Sequence, residues 1–305
     1  MKTKPQIVKM LTSIIVCSYF SYAIYWLIKT IPWIIEISLR PEHYVPATGV
    51  SSNYSYILSF AFFMEYVGFF GLMIRVVGAS FALLSIFLIF KNKKDRFYVI
   101  QNSISTAIIL EGVYYLFFIP AIIFMLLNFT ALPKISNLLL STAFSTQILL
   151  ITPLLIKLGS IVKNFESSIN KILLIRYIGL SYMSFVISLW ITYILKWIEM
   201  MAVDPYLFSA LSFRILGFLN TVIVQSLTII FAVIGVMFIL KNHLNKAIRW
   251  LGFSLIFLSL HIIIYVIYVT SVGITRFIQF GELWLIPIFG LGIYLLYKNP
   301  KEIKF

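Results

Sequence analysis

The chain has 305 residues, of which only 11% are charged and 61% are hydrophobic, and its mean hydropathy is +1.02. Soluble domains carry about 25% charged residues, so this composition excludes a soluble globular protein and indicates a polytopic membrane protein. The one cysteine, Cys17, excludes an internal disulfide and a cysteine-based metal cluster.

The distribution of the basic residues predicts the orientation in the membrane. The net charge of +14 comes mostly from Lys and Arg in short loops between apolar runs. This distribution argues against nucleic acid as a partner. It is typical of membrane proteins, in which the loops on the cytoplasmic side carry the excess of Lys and Arg. One side carries Lys2, Lys4, Lys9, Lys91, Lys93, Lys94, Arg96, Lys157, Lys163, Lys171, Lys241, Lys246, Arg249, Lys298, Lys301 and Lys304. The other side has Lys29, Arg40, Lys134, Lys196 and Arg276. Both termini are therefore expected to be cytoplasmic, in a multi-pass protein of the cell membrane.

Apolar runs long enough to cross a membrane of about 30 Å recur along the whole chain. They predict an all-α fold with eight transmembrane helices, at roughly 7–31, 56–90, 97–124, 137–157, 172–197, 206–240, 247–272 and 277–297. Two glycosylation sequons, at Asn53 and Asn128, fall on the predicted outer side, in agreement with the charge rule.

An internal duplication relates the two halves. Residues 81–92 read FALLSIFLIFKN and residues 231–242 read FAVIGVMFILKN, at an offset of 150. The first and fifth predicted helices match at an offset of 163, where Ser18 and Tyr19 correspond to Ser181 and Tyr182. We predict two four-helix repeats, 1–158 and 159–305, with the same orientation, related by about 180° around the membrane normal.

Four ionisable side chains are predicted to form one polar layer within the membrane. Counting about 1.5 Å per helical residue from the cytoplasmic ends places Arg75 and Glu282 at a depth of about 24 Å, and Glu111 and His261 at about 21 Å. One interpretation is a ligand or proton site that opens outward. The other is structural, with Arg75–Glu282 as an ion pair and Glu111–His261 as a hydrogen bond between helices.

The remaining polar residues limit the chemistry that this chain performs alone. Glu65 and Arg214 occupy nearly equivalent places in the two repeats and are predicted to pair at the outer interface. No catalytic or metal-binding constellation is recognised. Of the three histidines, His43, His243 and His261, one lies within a predicted span. A transmembrane haem b commonly has two axial ligands, so the chain is not expected to hold haem by itself.

In size, hydrophobicity and lack of its own haem ligands, the chain resembles the small hydrophobic second subunit of the archaeal b-type cytochrome of thermoacidophile respiratory chains. The resemblance implies a membrane component of an electron-transfer complex, surrounded by lipid, that anchors an outward-facing partner carrying haem b and contacts quinol. Such a chain is an accessory component rather than an enzyme. The alternative, which the duplication favours, is a secondary transporter or permease for a small or lipid-linked substrate.

Overall fold

Every element that the computed structural model describes is helical. It describes residues 4–39, 54–91, 96–127, 134–165, 168–203, 219–271 and 285–297, and the prediction of an all-helical protein is confirmed within these ranges. The α-helices are α1 Lys4–Leu39, α2 Tyr54–Phe90, α3 Phe97–Leu116, α4 Phe118–Leu126, α5 Lys134–Lys163, α6 Ser168–Val203, α7 Gln225–Leu240, α8 Leu244–Ser271 and α9 Leu285–Tyr297. A π-helical turn, Leu219–Val224, leads directly into α7.

Six described helical segments are long and apolar enough to cross a membrane. They are Thr12–Glu36, Val67–Phe90, Phe97–Ile123, Ile135–Lys163, Lys171–Leu195 and Val222–Leu240. Large apolar side chains on several of these helices point away from the protein, for example Leu149, which is 73% exposed, and Phe87, which is 53% exposed. An outer surface of this kind suits hydrocarbon and not water. The helices are thus compatible with a multi-pass membrane protein.

The third predicted helix, 97–124, is broken in the structure. Its two parts, α3 and α4, meet at Phe117, whose N–H bonds to the carbonyl of Tyr114 at 3.2 Å instead of continuing the α-helical pattern. Pro120 supplies the physical reason, because a proline lacks the N–H of the regular helical bond and its ring clashes with the carbonyl four residues earlier, here Leu116. The predicted third span is nevertheless found as one apolar helical segment, Phe97–Ile123, with this interruption inside it.

The helices form a closed ring in the order of the chain. Helices α1 and α2 pack together, as do α2 and α3, α3 and α5, and α5 and α6. The order continues with α6 against α7, α7 against α8 and α8 against α9, and α9 returns to contact α1. The short helix α4 continues from α3 and packs on α5. This arrangement gives the protein an interior that side chains from many helices face.

Small residues set the closest helix contacts. A Cβ added at Gly159 of α5 would lie 3.0 Å from the carbonyl oxygen of Ser105 in α3, and the Ser105 hydroxyl donates to the Gly159 carbonyl at 2.7 Å. Gly252 of α8 and Gly292 of α9 face each other in the same way. Close backbone approach through glycine and serine is the usual basis of helix association in membranes.

Candidate functional site

A cavity of about 570 Å³ lies among α1, α2, α3, α4, α5, α6 and α8. Its polar lining residues are Tyr19, Tyr22, Arg75, Glu111, Tyr114, Tyr115, Gln147, Ser181, Tyr182 and Tyr193. Its apolar lining residues are Phe118, Ile151, Leu155, Phe185, Leu189 and Leu258. The volume lies in the range of small-molecule sites, which combine an apolar wall with a few placed polar groups.

An ion pair between α2 and α3 forms the charged part of the cavity wall. Arg75 Nη2 lies 2.8 Å from Glu111 Oε1, and Arg75 Nε lies 3.2 Å from Glu111 Oε2. Both side chains remain partly open to the cavity, at 15% and 21% exposure. Helices α2 and α3 approach closely one turn away, where a Cβ at Gly78 would be 3.2 Å from Leu110 Cβ, and this contact brings the two charges into reach.

Tyrosines surround the Arg75 guanidinium. Tyr19 of α1 donates its hydroxyl proton to Glu111 Oε2 and accepts a bond from Arg75 Nε at 2.8 Å. The guanidinium carbon lies over the rings of Tyr19, Tyr22 and Tyr114, at 5.2, 5.7 and 4.5 Å from their centroids. Such contacts stabilise a cation that has lost its water. Side chains from three helices thus form one hydrogen-bonded cluster, in which the charges of Arg75 and Glu111 balance.

His261 is almost completely buried, at 1% exposure, behind the opposite wall of the cavity. Its Nε2 lies 2.6 Å from Gln225 Nε2, and its Nδ1 lies 3.0 Å from Asn220 Oδ1. Its ring meets the Tyr193 ring edge-on at 4.8 Å. A neutral imidazole that donates from Nδ1 to Asn220 and accepts at Nε2 from the Gln225 amide satisfies both ring nitrogens. The π-helical turn before α7 supplies Asn220.

The structural pairing that the sequence suggested is corrected at two residues. Glu111 and His261 do not bond to each other, because Glu111 bonds to Arg75 and Tyr19 while both ring nitrogens of His261 are occupied by Gln225 and Asn220. The reason is geometric: each group pairs with the helix that packs beside its own, not with its counterpart across the ring. The carboxylate that Arg75 contacts in the described part of the chain is that of Glu111.

Several predicted site residues lie outside the described residues. They are Glu282, Arg214, Asn53 and Asn128. Glu65 belongs to α2, but its side chain is not among those described. The Arg75–Glu282 contact, the Glu65–Arg214 pair and the two glycosylation positions stay predictions.

The two polar pairs occupy corresponding positions in the sequence. Gln225 follows Arg75 by 150 residues, and His261 follows Glu111 by the same number. Each pair joins neighbouring helices, α2 to α3 and α7 to α8. The search of the sequence for ionisable groups missed Gln225 because its side chain is uncharged. Applying the offset of 150 to Arg75 would have found it.

Ser181 is the second polar feature that sequence reasoning did not single out. Its side chain lines the cavity at 8% exposure, and its hydroxyl has no hydrogen-bond partner among the described residues. The neighbouring Tyr182 hydroxyl bonds to the Ser254 hydroxyl at 2.9 Å. A buried hydroxyl without a partner costs free energy, so Ser181 is an unsatisfied polar group in the wall of the cavity.

Among the described residues, no three metal-ligating side chains come together. Comparison of the chain with protein-family models, with curated proteins and with solved structures found no match. The cavity and the chemistry of its walls are therefore the features of this chain that bear on its function.

Proposed function

We propose that this chain is a membrane permease that holds a small amphipathic or lipid-linked ligand in the cavity. The observation that carries the proposal is the composition of the walls. Arg75, Glu111 and tyrosines provide a polar end, whereas Ile151, Leu155 and Leu189 contribute to an apolar surface. A ligand with a polar head and an apolar body matches both parts.

The depth of the charged cluster supports this function. Arg75 precedes Lys91 by 16 residues, which corresponds to about 24 Å of helix. A charged side chain costs about 2.5–3.5 kcal/mol at the bilayer centre on insertion scales, and one elsewhere in the hydrocarbon carries part of this cost. Charged residues in spans usually face a bundle interior or a water-filled cavity and mark substrate pathways. The exposure of both charges toward a cavity agrees with that expectation.

The proposed architecture has eight spans in two parallel repeats, 1–158 and 159–305. Beyond the six described segments, α8 and α9 with the residues that follow and precede them are proposed as the seventh and eighth spans. The correspondence of Arg75–Glu111 with Gln225–His261 supports the duplication, since both pairs are hydrogen-bonded. Helices of both halves line the cavity, and many transporters bind substrate at such a repeat interface.

The proposed orientation, with both termini in the cytoplasm, predicts the labelling of two loops. In a Cys17→Ser background, a membrane-impermeant maleimide added to intact cells should label an Asn53→Cys variant and should spare a Lys93→Cys variant. The reason is the excess of Lys and Arg on the side of Lys93. Disruption of the membrane should make both positions reactive. Labelling of the position-53 thiol from the cytoplasmic side alone would contradict the orientation.

The cavity itself predicts a difference between two positions on one helix. Ser181 lines the cavity. Ile178, almost one turn earlier in α6, is 51% exposed and is not part of the cavity lining. In the Cys17→Ser background, a small water-soluble methanethiosulfonate should modify the Ser181→Cys thiol and spare the Ile178→Cys thiol. The thiolate is the reacting species and does not form in hydrocarbon. Equal reaction rates at the two positions would remove the proposed site.

A second candidate function is a quinol-contacting membrane component of an electron-transfer complex, with haem b in a partner chain. The mixed lining of the cavity favours it, because a quinol head needs hydrogen-bonding groups such as Tyr19 and Gln147 and its isoprenoid tail needs an apolar surface. In this case the complex purified from native membranes should contain a haem protein. A protein that purifies alone and carries out substrate exchange in liposomes favours the permease.

A further inference from the structure

We infer that the ligand has an acidic head group, a carboxylate or a phosphate, which replaces Glu111 on Arg75 while Glu111 takes up a proton. This inference rests on the proposed ligand site and names the chemistry of its ligand. Arg75 is the one cationic side chain among the described lining residues. A guanidinium binds carboxylate and phosphate oxygens through two parallel hydrogen bonds.

The geometry makes the ligand and Glu111 competitors for the same atoms. Arg75 presents Nε and Nη2 to the Glu111 carboxylate, in the fork that an acidic ligand would use. Both side chains are reached from the cavity, at 15% and 21% exposure. An acidic head in the cavity gains the bidentate contact only when the Glu111 carboxylate gives it up.

Charge balance then requires a proton. A carboxylate that loses its buried partner becomes an uncompensated charge, which is strongly unfavourable. One proton from water on Glu111 together with one anion on Arg75 leaves the net charge of the cluster at zero, as it was before binding. The protonated carboxyl donates a hydrogen bond, and the Tyr19 hydroxyl, which bonds to Glu111, is able to accept it.

The other ionisable groups around Glu111 do not provide a competing charge. Tyr19 and Tyr22 come from α1, Tyr114 and Tyr115 belong to α3 itself, and Arg75 comes from α2. Helix α5 presents Gln147, Ile151 and Leu155 to the cavity, which do not ionise. Within the described lining, Glu111 is thus the acidic side chain that a ligand anion would displace.

The second polar pair argues against a purely structural role for the charges. At the corresponding positions, Gln225 and His261 join α7 to α8 through a hydrogen bond at 2.6 Å and carry no ion pair. Asn220 bonds to the other ring nitrogen of His261. The same helix contact is thus made without an ion pair, and the charged version occurs where the pair faces the cavity.

The test measures binding of radiolabelled dodecanesulfonate, which stays ionised at every pH used, and of uncharged dodecanol to the full chain in lipid nanodiscs. The wild-type protein should bind the sulfonate more tightly as pH falls, by up to about tenfold per pH unit, because one proton accompanies each anion. Binding of dodecanol should not depend on pH. Empty nanodiscs give the partition of each probe into lipid.

Two variants test the roles of the paired residues. In Glu111→Gln, the arginine has lost the anion that it contacts in the described part of the chain, so sulfonate binding should be independent of pH and at least about tenfold tighter than in the wild type at about pH 7.5. The double variant Arg75→Gln/Glu111→His copies the second pair into the first and should lose the preference for the sulfonate.

Competition by methanesulfonate indicates a free small anion, whereas competition by long-chain anions alone indicates a lipid-linked one. Either pattern supports an acidic head.

The inference is overturned if Glu111→Gln binds the sulfonate with the affinity and pH dependence of the wild type, or if the double variant still prefers the sulfonate. The reactivity of the Ser181→Cys thiol separates this result from failure of the proposed function. If that thiol reacts and the sulfonate results are negative, the cavity is a ligand site for a head group that is not acidic. If that thiol and the Ile178→Cys thiol react equally, the ligand site itself is lost.

Discussion

Replacement of Arg75 by leucine is expected to lower the free energy of unfolding by about 3–5 kcal/mol, the usual cost of breaking a buried ion pair on one side. The change leaves Glu111 without the bidentate contact to the guanidinium, so that it either stays an unpaired carboxylate or must take up a proton. It also removes the cation that three tyrosine rings surround. Unfolding of the purified protein by sodium dodecyl sulfate, followed by its tryptophan fluorescence, measures the loss.

The matched control is the double variant Arg75→Gln/Glu111→His, which is expected to recover most of that stability. Its neutral pair copies the Gln225–His261 contact between α7 and α8, the helices that the proposed duplication relates to α2 and α3, so that no charge remains unpaired. A single Gln225→Leu variant should cost less, about 1–3 kcal/mol, because it leaves a neutral imidazole nitrogen unsatisfied. An Arg75→Leu protein as stable as the wild type would mean that water in the cavity solvates Glu111 fully.

The fold was predictable from the sequence to the extent that apolar runs define helices. The all-helical class and the segments around Val67–Phe90 and Lys171–Leu195 follow from the length and composition of those runs. The break at Phe117 was also readable from Pro120, because the effect of a proline on the preceding turn is local. It was missed since the apolar character continues without interruption through both parts.

The partners within the site were not predictable by the same means. Depth along a helix follows from counting residues, and it pointed to Arg75, Glu111 and His261, which form side-chain contacts between helices in the structure. Pairing depends on the rotation of each helix and on which helices are neighbours, and neither follows from depth. The ring order sets α2 beside α3 and α7 beside α8, and this order joins Arg75 to Glu111.

The difference between the two polar pairs bears on the proposed function. If both pairs were neutral, the cavity would offer tyrosines, Ser181 and Gln147, and would hold uncharged ligands. If both pairs were charged, the second would be buried behind Tyr193 without access to a ligand, at the full cost of desolvation. With one charged pair on the cavity and one neutral pair behind the wall, the ion pair of the described residues lies where the proposed ligand would reach it.

Replacement of Gly159 by valine is the second change from which we expect a large effect, a loss of about 1–3 kcal/mol or more from overpacking. A Cβ at this position would overlap Ile109 Cγ1 and would lie 3.0 Å from the Ser105 carbonyl oxygen. The Ile109 side chain would have to adopt another rotamer to avoid this contact. The Ser105 oxygen belongs to the backbone of α3, so it can move away only if the helix moves. Separation of α3 and α5 would also stretch the Ser105–Gly159 hydrogen bond of 2.7 Å.

The matched control is Gly68→Val in α2, where an added Cβ would meet nothing within 4 Å. It should unfold at the same detergent concentration as the wild type, or at a slightly higher one, because glycine is the poorer helix former. Combining Gly159→Val with Ile109→Ala should restore part of the stability, since it removes the closest contact and leaves that with the Ser105 oxygen. If Gly159→Val unfolds together with Gly68→Val, α3 and α5 do not pack as closely as the structure indicates, and the wall that carries Glu111 is set by other contacts.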